Sequence, residues 1–299
     1  MKTILLLFFS FCLFSASAQV VDSTATQVAE PSAPKRMASS FIRVKRDTEN
    51  VKLQTGITRY VKGEVTVDLI GAIHIADAQY YTQLNQKFKA YESVLFEMVG
   101  GDQMKKGRLP EPAQEGDETM VKAINDLYGL LSQALRLQGQ KEGINYQSAN
   151  FVHADLSLKE FKNLQAQKGE SLLGFALQSA AKGADSKIKP PNLQKLLMAM
   201  LSGNSNGMKR ELVDTLGGAD DQVSGMLGES VIIGDRNTKC LKVLDGQIKA
   251  GKKKLAIFYG AAHFPDMEKK MMKAGYQKTT HHWLTAWNIP SDRHRDDAE

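Results

Sequence analysis

The sequence predicts an α/β fold: a central mixed, largely parallel sheet flanked by helices, carrying a large all-helical insertion. Three observations predict it. The run Val65–Asp77 opens with alternating apolar and polar residues and then turns continuously apolar, as a strand does on entering a buried sheet; a helical spacing and a second short apolar run follow. A helix, an apolar strand and another helix return at 229–289. Between these parts, 103–228 shows helical spacing almost throughout. As domains, 41–102 and 229–289 form one discontinuous α/β core, 103–228 is the helical insertion, and 290–299 is a loose tail.

Before the core, Lys2 precedes the apolar stretch Ile4–Phe14, and Ser15-Ala16-Ser17-Ala18 follows. A basic start, an apolar centre and an Ala-x-Ala end read as a signal peptide, 1–18, cleaved after Ala18. Its apolar part is shorter than the ~18 to 20 residues a membrane span needs, and no other stretch is long and apolar enough. An exported protein, periplasmic or secreted, is expected. Residues 19–40, rich in Ser, Thr, Ala and Pro, read as a disordered spacer. Cleavage leaves one cysteine, Cys240, so no internal disulfide is expected and the core must hold the fold. The net charge of +6 is spread along the chain. Its densest run, Lys252–Lys254, reads as a solvated turn; no nucleic-acid motif accompanies it, and no nucleic-acid partner is expected.

In order, Phe41–Arg46 and Val51–Val61 read as strands joined by the polar turn Asp47–Asn50. Asp77 stands where a helix N-cap would, and Tyr81, Leu84 and Phe88 share one side of Ala78–Tyr91. Val94–Val99 is the next strand, and strand, helix, strand with short links implies parallel pairing. Helices follow at Thr119–Leu137, Ser157–Gln165 with a Ser157/Glu160 capping box, Leu172–Ala181, Asn192–Leu201 and Met208–Leu216. Met198, Met200 and Met208 read as adaptable packing. One helix, Glu229–Ala250, carries Arg236, Cys240, Val243, Leu244 and Ile248 on its inner face. The strand Leu255–Tyr259, the helix Pro265–Lys273 and a last strand Tyr276–Trp287 close the fold.

Two strands end alike: Gly71-Ala-Ile-His74 and Gly260-Ala-Ala-His263. Carboxyl ends of parallel strands face the ligand crevice, so His74 and Glu97, on Val94–Val99, belong near one edge. Arg236 on an otherwise apolar face needs a carboxylate or an anion, because a buried guanidinium left alone is costly.

These residues carry a resemblance. Gly-Ala-Ile-His74, Val-Leu-Phe-Glu97, Gly-Asp-Arg236-Asn237 and Gly-Ala-Ala-His263 occur in that order, and with the Ala154–Phe161 segment the chain resembles the TraB/GumN family from about Phe41 to Trp287. That family is related to the Tiki proteases and more distantly to pheromone-shutdown and erythromycin-esterase-like proteins. The resemblance implies a hydrolase-like α/β fold with a helical insertion. Through the Tiki branch it implies a metal-dependent peptidase that uses both Gly-x-x-His histidines and the strand glutamate. The family has Glu before Arg-Asn; this chain has Asp235.

The chemistry expected is a three-ligand site of His74, Glu97 and His263, holding a divalent zinc or manganese ion with an open position that activates water and polarises a carbonyl. No short metal motif such as His-Glu-x-x-His is present, so tertiary folding must build the site. Glu97 and Arg236 are the catalytic candidates; Arg236 either pairs with Glu97 or, with Asn237, binds a substrate carboxylate or developing oxyanion. The plainer readings are a hydrogen-bonded rim histidine for each His and a buried structural pair for Glu97 and Arg236. His281, His282 and His294 belong away from the site, Asp155 reads as local capping, and Cys240 as a packed thiol. A hydrolase acting on a peptide or small molecule leads; a non-catalytic binder of a peptide or haem-like ligand is the alternative, and a metal-free esterase is a third reading.

Overall fold

The computed structural model describes residues 41–101, 126, 128–170, 191–217 and 230–291. The expected signal peptide, the spacer, the polar loop at 105–118, the helix at 172–181 and the tail from 292 lie outside them. The chain opens with an antiparallel hairpin of β1 (Ile42–Arg46) and β2 (Asn50–Lys62), registered from Ile42↔Thr55 to Arg46↔Val51. In its turn Asp47 Oδ1 accepts the backbone N–H of Glu49 at 3.1 Å and of Asn50 at 2.7 Å. A second tight turn, with Gly63 at φ +57°, leads to β3 (Val65–Ala72), antiparallel to the far half of β2. β9 (Gln277–Pro290) covers the whole other edge of β2 and needs two irregularities, at Leu53/Gln54 and Arg59/Tyr60, to follow its twist.

The other half of the sheet is parallel: β3, β8 (Lys254–Gly260), β5 (Ser93–Phe96) and β7 (Phe151–His153) stand side by side. The mixed α/β architecture, with a parallel centre and flanking helices, is the one expected. The neighbours differ in one respect: β3 and β5 do not pair, because β8 enters between them. The reason is its composition. Leu255, Ala256, Ile257, Phe258 and Tyr259 are apolar toward both faces and essentially fully buried, which only a central strand satisfies.

α1 (Ala78–Phe88) buries Tyr80, Tyr81, Leu84 and Phe88 against the sheet. Asp77 stands at its N-cap position but does not cap it; the carboxylate turns to the Asn288 N–H at 2.7 Å and to Lys209 at 3.4 Å. Within 103–228 the described residues are helical only in part. β6 (Gln138–Gly139) pairs antiparallel with β4 (Ile75–Ala76), α2 (Gln140–Gly143) follows, and β7 extends the main sheet. A three-residue strand is too short to show alternation, so the expected all-helical insertion also contains an edge of the sheet. α3 (Leu158–Lys168) has the expected capping box in full, with Ser157 accepting from the Glu160 N–H and Glu160 from the Ser157 N–H. α4 (Leu193–Leu201) and α5 (Ser205–Gly217) pack on each other. Met208 is buried as expected, whereas Met198 and Met200 face solvent.

The helix expected from Glu229 begins later, at Arg236. A wide turn, Val231–Asp235, closes through Asp235 N–H to Ser230 C=O at 3.2 Å, and α6 (Arg236–Lys249) starts from it. Cys240 and Leu244 form its buried face, with Arg236 at the site end. Beyond β8 a 3₁₀ turn, Ala261–His263, runs into α7 (Phe264–Lys273), which has Pro265 in its first turn and Gly275 at φ +90° beyond its end. No helix among the described residues is long and apolar enough to cross a membrane.

Candidate functional site

Parallel pairing brings the carboxyl ends of β3, β8 and β5 to one edge. Ala72 lies opposite Gly260, and Phe96 opposite Phe258, so the residues that follow each strand emerge together. Those residues are His74, His263 and Glu97. Arg236 and Asn237, at the start of α6, reach the same edge through the wide turn before them.

Glu97 is the hub. One oxygen accepts from Arg236 Nη2 at 2.6 Å and the other from the Gly260 N–H at 2.6 Å. The absence of a side chain at Gly260 matters here, since a Cβ would stand 3.3 Å from the carboxylate. Burial works against the charged form of Glu97, but His263 and Arg236 outweigh it and hold the carboxyl well below its usual range. Arg236 has a second acid. Asp155, only 1% exposed, takes its Nε at 3.0 Å and Nη2 at 2.6 Å, a two-point clamp. Burial disfavours the guanidinium charge, yet Asp155 and Glu97 raise its pKa above the ordinary arginine value. Of the tasks expected for Arg236, pairing with Glu97 is the one seen.

Asn237 is fully buried and spends its amide inside the fold. Nδ2 donates to the His263 carbonyl at 3.0 Å and to Asp266 Oδ2 at 2.8 Å, which orients the amide so that Oδ1 faces His263 Nδ1 at 2.6 Å. It therefore positions His263 and does not face a substrate, as its place beside Arg236 had suggested. Since a carboxamide oxygen only accepts, Nδ1 carries the proton. Nε2 then looks toward Glu97 Oε1, 3.4 Å away. Two lone pairs at that distance repel unless a proton or a cation lies between them. Two ligands bonded at about 2.1 Å to one tetrahedral ion stand about 3.4 Å apart, so the donor chemistry suits a divalent ion at this edge. An outer hydrogen bond from the second ring nitrogen is also how metal-bound histidines are held.

His74 is at the same edge but is held differently. Its carbonyl accepts the Gln140 N–H at 2.8 Å, and its exposed ring meets Tyr128 edge-on at 5.5 Å between centroids. Crowding by protein atoms lowers the pKa of the imidazole, an effect its open surface limits; Glu97 acts in the opposite sense, Arg236 and His263 in the same. Tyr128 is pushed up to about 12, by burial and then by the charge of Glu97. Among the described residues no three His, Cys, Asp or Glu side chains are arranged to hold an ion, so His263 and Glu97 converge while His74 stands apart from them.

Other candidates settle elsewhere. Asp235 pairs with Lys168 at 2.8 Å, away from Glu97. His281 binds Thr58 Oγ1 at 2.7 Å on the antiparallel half of the sheet. Burial pushes the Cys240 thiol well up, which keeps it protonated and inert. Asp155, which reads as a cap in the sequence, is the main partner of Arg236. The signal for it was Arg236 itself: a guanidinium bound on an apolar face outlasts the hydrogen-bonding capacity of one carboxylate. Compared with protein-family models, with curated proteins and with solved structures, the chain gives no match to any of them.

Proposed function

We propose that this chain is an exported metal-dependent hydrolase, a peptidase of the TraB/GumN type, whose ion is held by His263, Glu97 and His74. The observation that carries the reading is the facing pair of His263 Nε2 and Glu97 Oε1 at 3.4 Å, with Nδ1 fixed on Asn237. A zinc or manganese ion there supplies Lewis-acid polarisation of a carbonyl and activation of water. The chain's own residues do the rest. Arg236 and the Gly260 N–H keep Glu97 ionised and aimed at the edge, the form in which a carboxylate holds a cation. Asp155 fixes Arg236 so that Glu97 does not have to hold it alone.

The reading is tested by peptide cleavage before and after chelation, in the wild type and in His74→Ala and His263→Ala. Loss on chelation, recovery on adding zinc or manganese, and at least a 100-fold fall in both variants are expected, on the order of what loss of a positioned catalytic group costs. Cleavage that survives chelation points to the metal-free esterase; cleavage indifferent to both histidines sinks the site. The second reading, a binder of a peptide or haem-like ligand, rests on α4. Leu197 is 51%, Met198 61% and Leu201 73% exposed there, an apolar surface of the kind that binds partners. A wild type that holds no metal, cleaves nothing and retains an apolar ligand supports it instead.

A further inference from the structure

The two Gly-Ala-x-His histidines are unequal in the structure. His263 gives Nδ1–H to the side-chain amide of Asn237 at 2.6 Å, whereas the carboxamide nearest His74, that of Gln140, has an oxygen with no partner at hydrogen-bond distance. Gln140, 9% exposed, donates its backbone N–H to the His74 carbonyl at 2.8 Å. The β4–β6 ladder, Ile75↔Gly139 and Ala76↔Gln138, locks the two segments together directly beside this bond. The Gln140 side chain donates Nε2–H to Tyr146 Oη at 2.8 Å, which leaves Oε1 turned away from Tyr146, buried and without a partner. A buried carboxamide oxygen left unpaired is costly and asks for an explanation. The His74 imidazole lies within interaction range of this amide.

We propose that Gln140 is the positioning residue for His74: its Oε1 accepts the N–H of one ring nitrogen and so turns the lone pair of the other toward Glu97 and His263. The inference rests on the ligand set of the hydrolase reading. It makes the two units alike, each histidine held by a carboxamide from outside its own strand, Asn237 from α6 and Gln140 from α2. It also accounts for His74 standing apart. The backbone on both sides is already clamped, so the side chain is what is left to turn toward Gln140.

The test uses the full mature chain with zinc as the probe. Zinc affinity is measured by competition with a chromophoric chelator, and the His74 tautomer by ¹⁵N shifts of the ring in the metal-free protein. Gln140→Leu keeps the volume and removes the acceptor; it should weaken zinc about 10- to 100-fold and turn one His74 tautomer into a mixture. Gln140→Glu keeps the acceptor and should restore both. Tyr146→Phe, which removes only the partner of Nε2, should leave both unchanged and so separates positioning from packing. If His74→Ala weakens zinc while Gln140→Leu alters neither affinity nor tautomer, the role of Gln140 is refuted and the site survives. If His74→Ala itself leaves zinc binding intact, the ligand set fails and the inference with it. Should Gln140→Leu not fold, a wild-type His74 ring that already shows mixed tautomers overturns the proposal by itself.

Discussion

Glu97, Arg236 and Asp155 form a chain of charges whose members are unequal. Asp155 holds Arg236 at two points, Glu97 at one, and Glu97 has the Gly260 N–H in reserve. Removing Asp155 leaves a buried cation with a single acid among the described residues, so Asp155→Ala should cost about 3–5 kcal/mol in urea unfolding. Glu97→Gln keeps shape and the Gly260 contact and should cost less; the reverse order would mean that Glu97, not Asp155, holds Arg236. Asn237→Ala frees the His263 ring, and a fall of about 10- to 100-fold in zinc affinity is expected by titration. The sequence made Glu97 and Arg236 legible because each is a charged residue in an apolar context that it could occupy only with a partner, and His74 and His263 because two buried strands end alike. Asp155, Gln140 and the Gly260 N–H were not. Their roles depend on who arrives from other strands, and nothing local marks them.

At the level of elements, periodicity did well wherever a segment had length. β2, β3, α1, α7 and the Ser157–Glu160 capping box fall where apolar spacing and cap chemistry put them. It failed for β7, three residues long, and for the start of α6, where the wide turn Val231–Asp235 keeps helical spacing without being α-helix. The capping box gives a pH test. The Lys239 ion pair, followed by the Ser157 N–H, lowers the pKa of Glu160 from 4.5 to about 2. Its contribution is therefore complete above pH 4.5 and is lost as the pH falls toward 2. Because the side chain is 46% exposed, the effect is small. Glu160→Gln should cost within about 1 kcal/mol at neutral pH, and wild type and variant should converge in acid, by urea unfolding at each pH. At the other edge of β3, a Cβ on Gly71 would stand 3.1 Å from Thr55 Cβ and 3.3 Å from the Gly56 carbonyl. Gly71→Val should then cost about 1–3 kcal/mol in the same assay.

Across the whole molecule, the order of strands decides what meets what. Spacing told that β3, β5 and β8 are buried strands with chemistry at their ends; it did not tell that β8 stands between the others. That insertion is what carries Gly260 and His263 to Glu97, and it makes the edge one site and not two. If the proposed ion is bound there it would tie β5, β8 and the β3–β4 loop together, and a ligand held only by the folded state stabilises that state. At zinc 100 times its dissociation constant the gain is about 2.7 kcal/mol, visible as a rise in Tm that chelator abolishes. The account stands or falls on whether His74, Glu97 and His263 hold an ion at all. Elemental analysis of the purified mature chain beside His74→Ala and His263→Ala answers that most directly. The account predicts close to one zinc or manganese per wild-type chain and far less in both variants; a wild type without metal after purification in its presence, or variants that keep the same content, would contradict it.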